Sequence, residues 1–170
     1  MQPPPQAPRL LNFNRAVLAQ ALELLDCCAA HPEVRYADFV GPHLRHVVEH
    51  YDAFVAQLEA RTIDYDARPR DPGVEQDPQV ARGRIGAITA ALATLSRTGL
   101  KNPLAIHLLG GLEGDEHFVT FSSAERELMF LASHAIHHYA QIKLHLAALG
   151  IELNPDFGKA PATVHHEHSH

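Results

Sequence analysis

Apolar residues recur every three to four positions in four separate stretches of the chain, and each stretch is bounded by residues that start or stop a helix. In 12–30 the apolar positions are Phe13, Val17, Leu18, Ala21, Leu24 and Leu25. That spacing lines one face of an α-helix. Asn12 or Asn14 can cap its start, and His31-Pro32 ends it, because the residue before a proline is driven out of helical backbone geometry. A second helix is predicted over 38–60, with Phe39, Val40, Leu44, Val47, Val48, Tyr51, Phe54, Val55 and Leu58 as its buried stripe. A third follows over 79–96 through Val80, Ile85, Ile88, Leu92 and Leu95, and Thr98-Gly99 with Pro103 breaks it.

The fourth stretch opens on Ser122 and Glu125, the S-x-x-E pattern of a capping box, and ends at Gly150, a typical stop residue. Its apolar face is Leu128, Leu131, Ala132, Ala135, Tyr139, Ile142, Leu146 and Leu149. Between the helices, 61–78 mixes charges with Pro and Gly and carries no apolar stripe, which predicts a long polar connection. Two short apolar runs, 104–109 and 117–121, flank the turn-rich GGLEGD and predict a β-hairpin. Residues 151–170 are expected to be irregular.

These elements predict an all-α architecture, a four-helix bundle with a small β-hairpin inserted before the fourth helix. One domain is expected over 12–163, with a flexible proline-rich start at 1–11 and a histidine-rich tail at 164–170. A chain of 170 residues with 46% hydrophobic content is enough for one buried core and short for two.

Charge removes several function classes. The formal net charge is −6, and no run of Lys or Arg is long enough to follow a phosphate backbone, so no nucleic-acid partner is expected. No apolar stretch reaches bilayer-spanning length and the start does not read as a signal peptide, so no membrane partner and a cytoplasmic location are expected. Cys27 and Cys28 are adjacent, cannot readily bridge each other, and lack thiolate-zinc spacing. A serine or cysteine nucleophile motif and a glycine-rich phosphate loop are both missing.

The candidate chemistry lies in the histidines. Of 14 in the chain, three fall at His43, His46 and His50 in the second predicted helix, and three at His134, His137 and His138 in the fourth. Residues four apart share a helix face, so His46 and His50 point one way, as do His134 and His138. Neutral imidazole is the commonest metal ligand, and two adjacent helices could close three of these rings around one divalent ion. By spacing, His50 is as eligible as His46. His43 and His137 are read as groups around the ligands. Asp64, Asp66, Asp71 and Glu75 could add a carboxylate or general base, with pairing to Arg68 and Arg70 as the structural reading. Tyr51 and Tyr65 could orient a bound water or serve as core residues with a polar tip.

The segments GPHLRHVVEHYDAF, IDYDARPRD and SHAIHHYAQIKLHLAALGIELNPDFGKAPAT together resemble the DinB superfamily, which includes YfiT-like metal-dependent hydrolases. The likeness runs from about Asn12 to Thr163. It implies an up-down bundle with a crossover, a homodimer, and a divalent metal held by one histidine of the second helix and an H-x-x-x-H pair of the fourth. By position these are His46, five residues after Gly41, with His134 and His138. Where the superfamily often has an arginine after the pair, this chain has Tyr139, so substrate class does not carry over.

The expected function is a metal-dependent hydrolase acting on a small molecule of unknown identity, with zinc or nickel at the site and iron or manganese as further options. The alternatives are a metal-dependent thiol transferase or isomerase and a non-catalytic, stress-linked, metal-stabilised dimer. A closed four-ligand site using His50 or Glu49 would favour the last.

Overall fold

A computed structural model describes residues 6–95 and 100–169. Ser96, the predicted end of the third helix, the Thr98-Gly99 break, His170 and the first five residues of the proline-rich start lie outside the described residues. In chain order the elements are α1 (Gln6–Ala30), a 3₁₀ turn (Tyr36–Asp38), α2 (Val40–Gln57), β1 (Thr62–Asp64), α3 (Pro72–Gln76) and α4 (Pro78–Thr94), followed by β2 (Pro103–Gly110), β3 (Glu116–Ser123), α5 (Ala124–Ala148) and α6 (Pro161–His168).

The class is mixed helix and sheet, which corrects the expectation of an all-α bundle with a hairpin insert. β2 pairs antiparallel with β3, and β1 adds to the other edge of β2 in parallel, giving a three-stranded sheet in the order β1-β2-β3. Ile63 drives this. It is fully buried and pairs with Ile106, so the segment read as a polar connection supplies a core residue to the sheet. Val74 of α3 is buried as well. Asp71 caps α3 by accepting from the Gly73 N–H at 2.8 Å, and Asp77 caps α4 by accepting from the Gln79 N–H at 2.8 Å, each with a proline at the helix start.

The long helices follow the apolar period. α1 packs on α4 and α5, and α2 packs on the same two. α1 begins six residues before Asn12 and buries Leu10 and Leu11. Asn14 is inside the helix and fully buried, where its amide donates to the Leu10 carbonyl and its Oδ1 accepts from the Tyr51 hydroxyl. Tyr51 is thus a core residue. α5 is capped by Ser123 rather than Ser122, with Oγ accepting from the Arg126 N–H at 3.3 Å. At its other end Gly150 has φ +78°, and the Gly150 and Ile151 N–H groups return to the Ala147 and Leu146 carbonyls. This is a Schellman closure, in which glycine carries the left-handed turn without a Cβ penalty.

The tail also departs from the irregular expectation. Pro161 starts α6, and Lys159 and His168 pair with Glu167 and Asp156. Among the described residues no helix is long and apolar enough to cross a membrane.

Candidate metal centre

α2 and α5 pack against each other with their histidines on the shared face. His46 lies on α2 and His134 and His138 on α5, and each offers a ring nitrogen such that all three atoms are within 4.8 Å of one another. The rings sit close together, with centroids 5.0 Å apart for His46 and His134, 4.8 Å for His46 and His138 and 4.7 Å for His134 and His138. A tetrahedral zinc with Zn–N bonds of about 2.0–2.1 Å needs its nitrogens roughly 3.4 Å apart. Rotation of the three side chains can close that gap.

The donor set suits a divalent cation. Burial, then the neighbouring His50 and Arg68 charges, pushes His46 down to about 3; burial followed by His134 and His43 does the same to His138. His134 is also lowered, chiefly by burial. All three rings are therefore neutral at pH 7, the form that ligates. The His134 Nε2 is buried and has no hydrogen-bond partner, a costly state for a polar atom that a ligated ion relieves.

The other histidines take distinct places. His43 Nδ1 lies 2.7 Å from His138 Nδ1. With the proton on His138 Nδ1, that contact leaves the His138 Nε2 lone pair for a metal, the orienting role that outer hydrogen bonds play at metal sites. His50 is buried and pushed down to about 4, mainly by burial; its Nδ1 donates to the His46 carbonyl at 2.6 Å, leaving Nε2 with a lone pair. It stays a rival ligand to His46. His137 is exposed and contacts the Gln141 amide at 2.9 Å, away from the cluster. Tyr139 is fully buried and stacked on Phe157 in the core, so it does not stand beside the metal ligands.

Among the loop carboxylates, Asp71 caps α3, Asp66 accepts from the Leu109 N–H at 2.7 Å, Asp64 accepts from the backbone of Asp66 and Ala67, and Glu75 pairs with Arg45 at 2.7 Å. Glu49 accepts from the Asp71 N–H at 2.6 Å. These carboxylates hold the loop in place. The residue that the loop does send to the cluster is Arg68, whose Nη1 lies 3.0 Å from His46 Nδ1 and 2.8 Å from His50 Nδ1. The sequence alone offers Arg68 only as a partner for the loop acids.

A cavity of about 310 Å³ opens between the sheet and α5, and none of the cluster histidines lines it. Its walls include Tyr65 and Phe130, whose rings also lie 5.4 Å from His50 and 5.4 Å from His134. Glu127, nearly fully buried, lines it and accepts from the Tyr65 hydroxyl at 2.9 Å and the Ser122 hydroxyl at 2.5 Å. Tyr65 therefore positions Glu127, and neither Glu127 nor Phe130 was singled out from the sequence.

No family model matches the chain. No solved structure matches it either. Over 104 residues the chain is 35% identical to FK506-binding protein 5 of Rhizopus delemar, an alignment covering 61% of this chain and 27% of that protein. The chain thus spans about a quarter of the length of that relative, whose name speaks of FK506 and not of a metal.

Proposed function

We propose that the chain is a metal-dependent hydrolase of the DinB type, binding one divalent ion through His46, His134 and His138. The observation that carries this reading is the convergence of three neutral, half-buried imidazoles from two helices, one of them with an orphaned Nε2. Zinc or nickel suits an all-imidazole set, with iron or manganese also accepted. Three protein ligands leave positions open, and an ion so held supplies Lewis acidity to a bound water or a substrate oxygen.

The chain's own residues set the surroundings. With His43 Nδ1 as the acceptor of the 2.7 Å contact, His138 carries its proton on Nδ1 and keeps Nε2 for the ion. Tyr65 and Phe130 stand between the cluster and the cavity, which has room for a small substrate. Cys28 is held as the thiol by burial, with its pKa up at about 11, so it is no rival nucleophile at neutral pH.

The test is elemental analysis of the full chain beside His46→Ala and His138→Ala, followed by ester and amide hydrolysis assays of the loaded protein. One equivalent of metal lost in both variants, with hydrolysis lost alongside, supports the reading. Metal that stays in either variant removes that residue. Bound metal with activity only when a low-molecular-weight thiol is added would point instead to the thiol transferase. The homodimer belongs to the same reading, and a monomer mass by light scattering at micromolar concentration would count against it.

A further inference from the structure

Arg68 differs from the other arginines around the core. Arg45, Arg82 and Arg84 each meet a carboxylate. Arg68 is half-buried, its Nη1 meets only ring nitrogens, and its Nε is buried without a partner. The nearby acids are held by other groups, Glu49 by the Asp71 N–H and Arg45 and Asp66 by the Leu109 N–H, and neither pairs directly with Arg68. A cation held this way has unused donors, and the Glu49 and Asp66 carboxylates act on it through space without a direct ion pair among the described residues.

The hydrogen-bond arithmetic of the rings adds a second constraint. A neutral imidazole has one N–H and one lone pair. His50 Nδ1 spends its proton on the His46 carbonyl and has no lone pair for Arg68, so the nearer acceptor for the Arg68 Nη1 is His46 Nδ1 at 3.0 Å, with the His50 Nε2 lone pair at 3.5 Å. His46 then has its own proton on Nε2 and no second lone pair. Donation from Arg68 and ligation of a metal by His46 therefore exclude each other. When His46 ligates, the guanidinium loses that ring as acceptor, Nη1 keeps only the 3.5 Å approach to His50 Nε2, and its remaining donors would be free beside a dication held by three neutral ligands.

That arrangement calls for an anion shared between the two. We propose that Arg68 binds a carboxylate of the substrate at the edge of the metal, which makes the substrate class small carboxylic acids and their derivatives. The planar guanidinium fork matches a carboxylate in two parallel hydrogen bonds, a geometry that a lone ammonium does not offer. This inference rests on the metal reading of the same site.

The experiment uses the full chain loaded with one equivalent of Co²⁺, whose visible absorption reports its coordination, titrated with acetate and separately with methyl phosphate. Acetate is expected to shift the spectrum with saturation. Arg68→Gln is expected to weaken acetate binding at least about tenfold, as loss of a hydrogen bond to a charged group does, and Arg68→Lys to restore part of it. Equal acetate affinity in wild type and Arg68→Gln, or no acetate response in a protein that holds Co²⁺, overturns the proposal while leaving the metal site intact. A response to methyl phosphate alone overturns the carboxylate assignment. Failure to hold Co²⁺ at all removes the metal reading and this inference with it.

Discussion

The histidines facing one another across α2 and α5 and those along α6 are both clustered in sequence, yet among the described residues only the first group brings three ring nitrogens together where they could hold an ion. His46, His134 and His138 are half-buried, come from two helices, and converge within 4.8 Å. His165, His166 and His168 lie on one short helix, all exposed, with His168 paired to Asp156 at 3.4 Å. Among the resolved shifts, the cluster members are lowered by burial. The difference teaches that spacing nominates ligands and packing selects them, because a second helix must supply the facing nitrogen and the burial that keeps it neutral.

The strongest way to break this contrast is to remove ligands from each region in turn. His46→Ala and His138→Ala are expected to lose one equivalent of tightly held metal, whereas a variant with His165, His166 and His168 all changed to Ala keeps it. His50→Ala is expected to weaken metal binding without removing it. Loss on His50→Ala with retention on His46→Ala, read by elemental analysis, would exchange the two roles. Metal lost only with the α6 substitutions would reverse the contrast altogether.

Legibility in the sequence was uneven for a physical reason. Helical periodicity is a local signal repeated over many turns, so the stretches that form α1, α2, α4 and α5 were readable, as was the i, i+4 geometry of His134 and His138. β1 spans Thr62–Asp64, too short to show alternation, and its pairing partner is more than 40 positions away at Ala105 to His107. Missing that strand made the class read as all-α. Arg68 was hidden for the same reason. Its approach to the histidines depends on the loop being pinned by Glu49 and on α3 lying against α2, where a Cβ on Gly41 would collide with the Glu75 carbonyl. Glu127 was hidden too, since its partners Tyr65 and Ser122 come from a loop and a strand.

Acid sharpens the same contrast through stability. Without a bound ion, burial pushes His46 and His138 down to about 3 and His50 down to about 4, against 6.5 for an unperturbed ring. The unfolded chain therefore takes up protons first as pH falls. Stability is fully present above about pH 6.5 and is lost through the window down to about pH 3. The melting temperature is expected to fall between about pH 7 and pH 5, and the α6 variant should follow the same curve. A flat melting temperature over that range would mean that the cluster histidines protonate freely.

A smaller effect separates the ligands from what orients them. His43→Ala leaves His46, His134 and His138 present and removes the Nδ1 contact to His138. Metal affinity is expected to fall by about 10–100-fold, the usual cost of losing such a support, with stoichiometry unchanged at saturating metal. An unchanged affinity in a competition titration would make the 2.7 Å contact incidental to the site.

The weakest perturbation is His168→Ala on α6. The substitution removes a contact to Asp156, which retains Lys159 at 3.6 Å, and the His168 side chain is 63% exposed, so solvent screens most of the interaction. The unfolding free energy is expected to change by less than about 0.5 kcal/mol, with metal content and metal affinity as in the wild type. Denaturant unfolding and a metal titration read the two quantities separately. A loss of metal affinity comparable to that of His43→Ala would mean that the exposed histidines of α6 act on the cluster after all, and burial would no longer be what distinguishes the two groups.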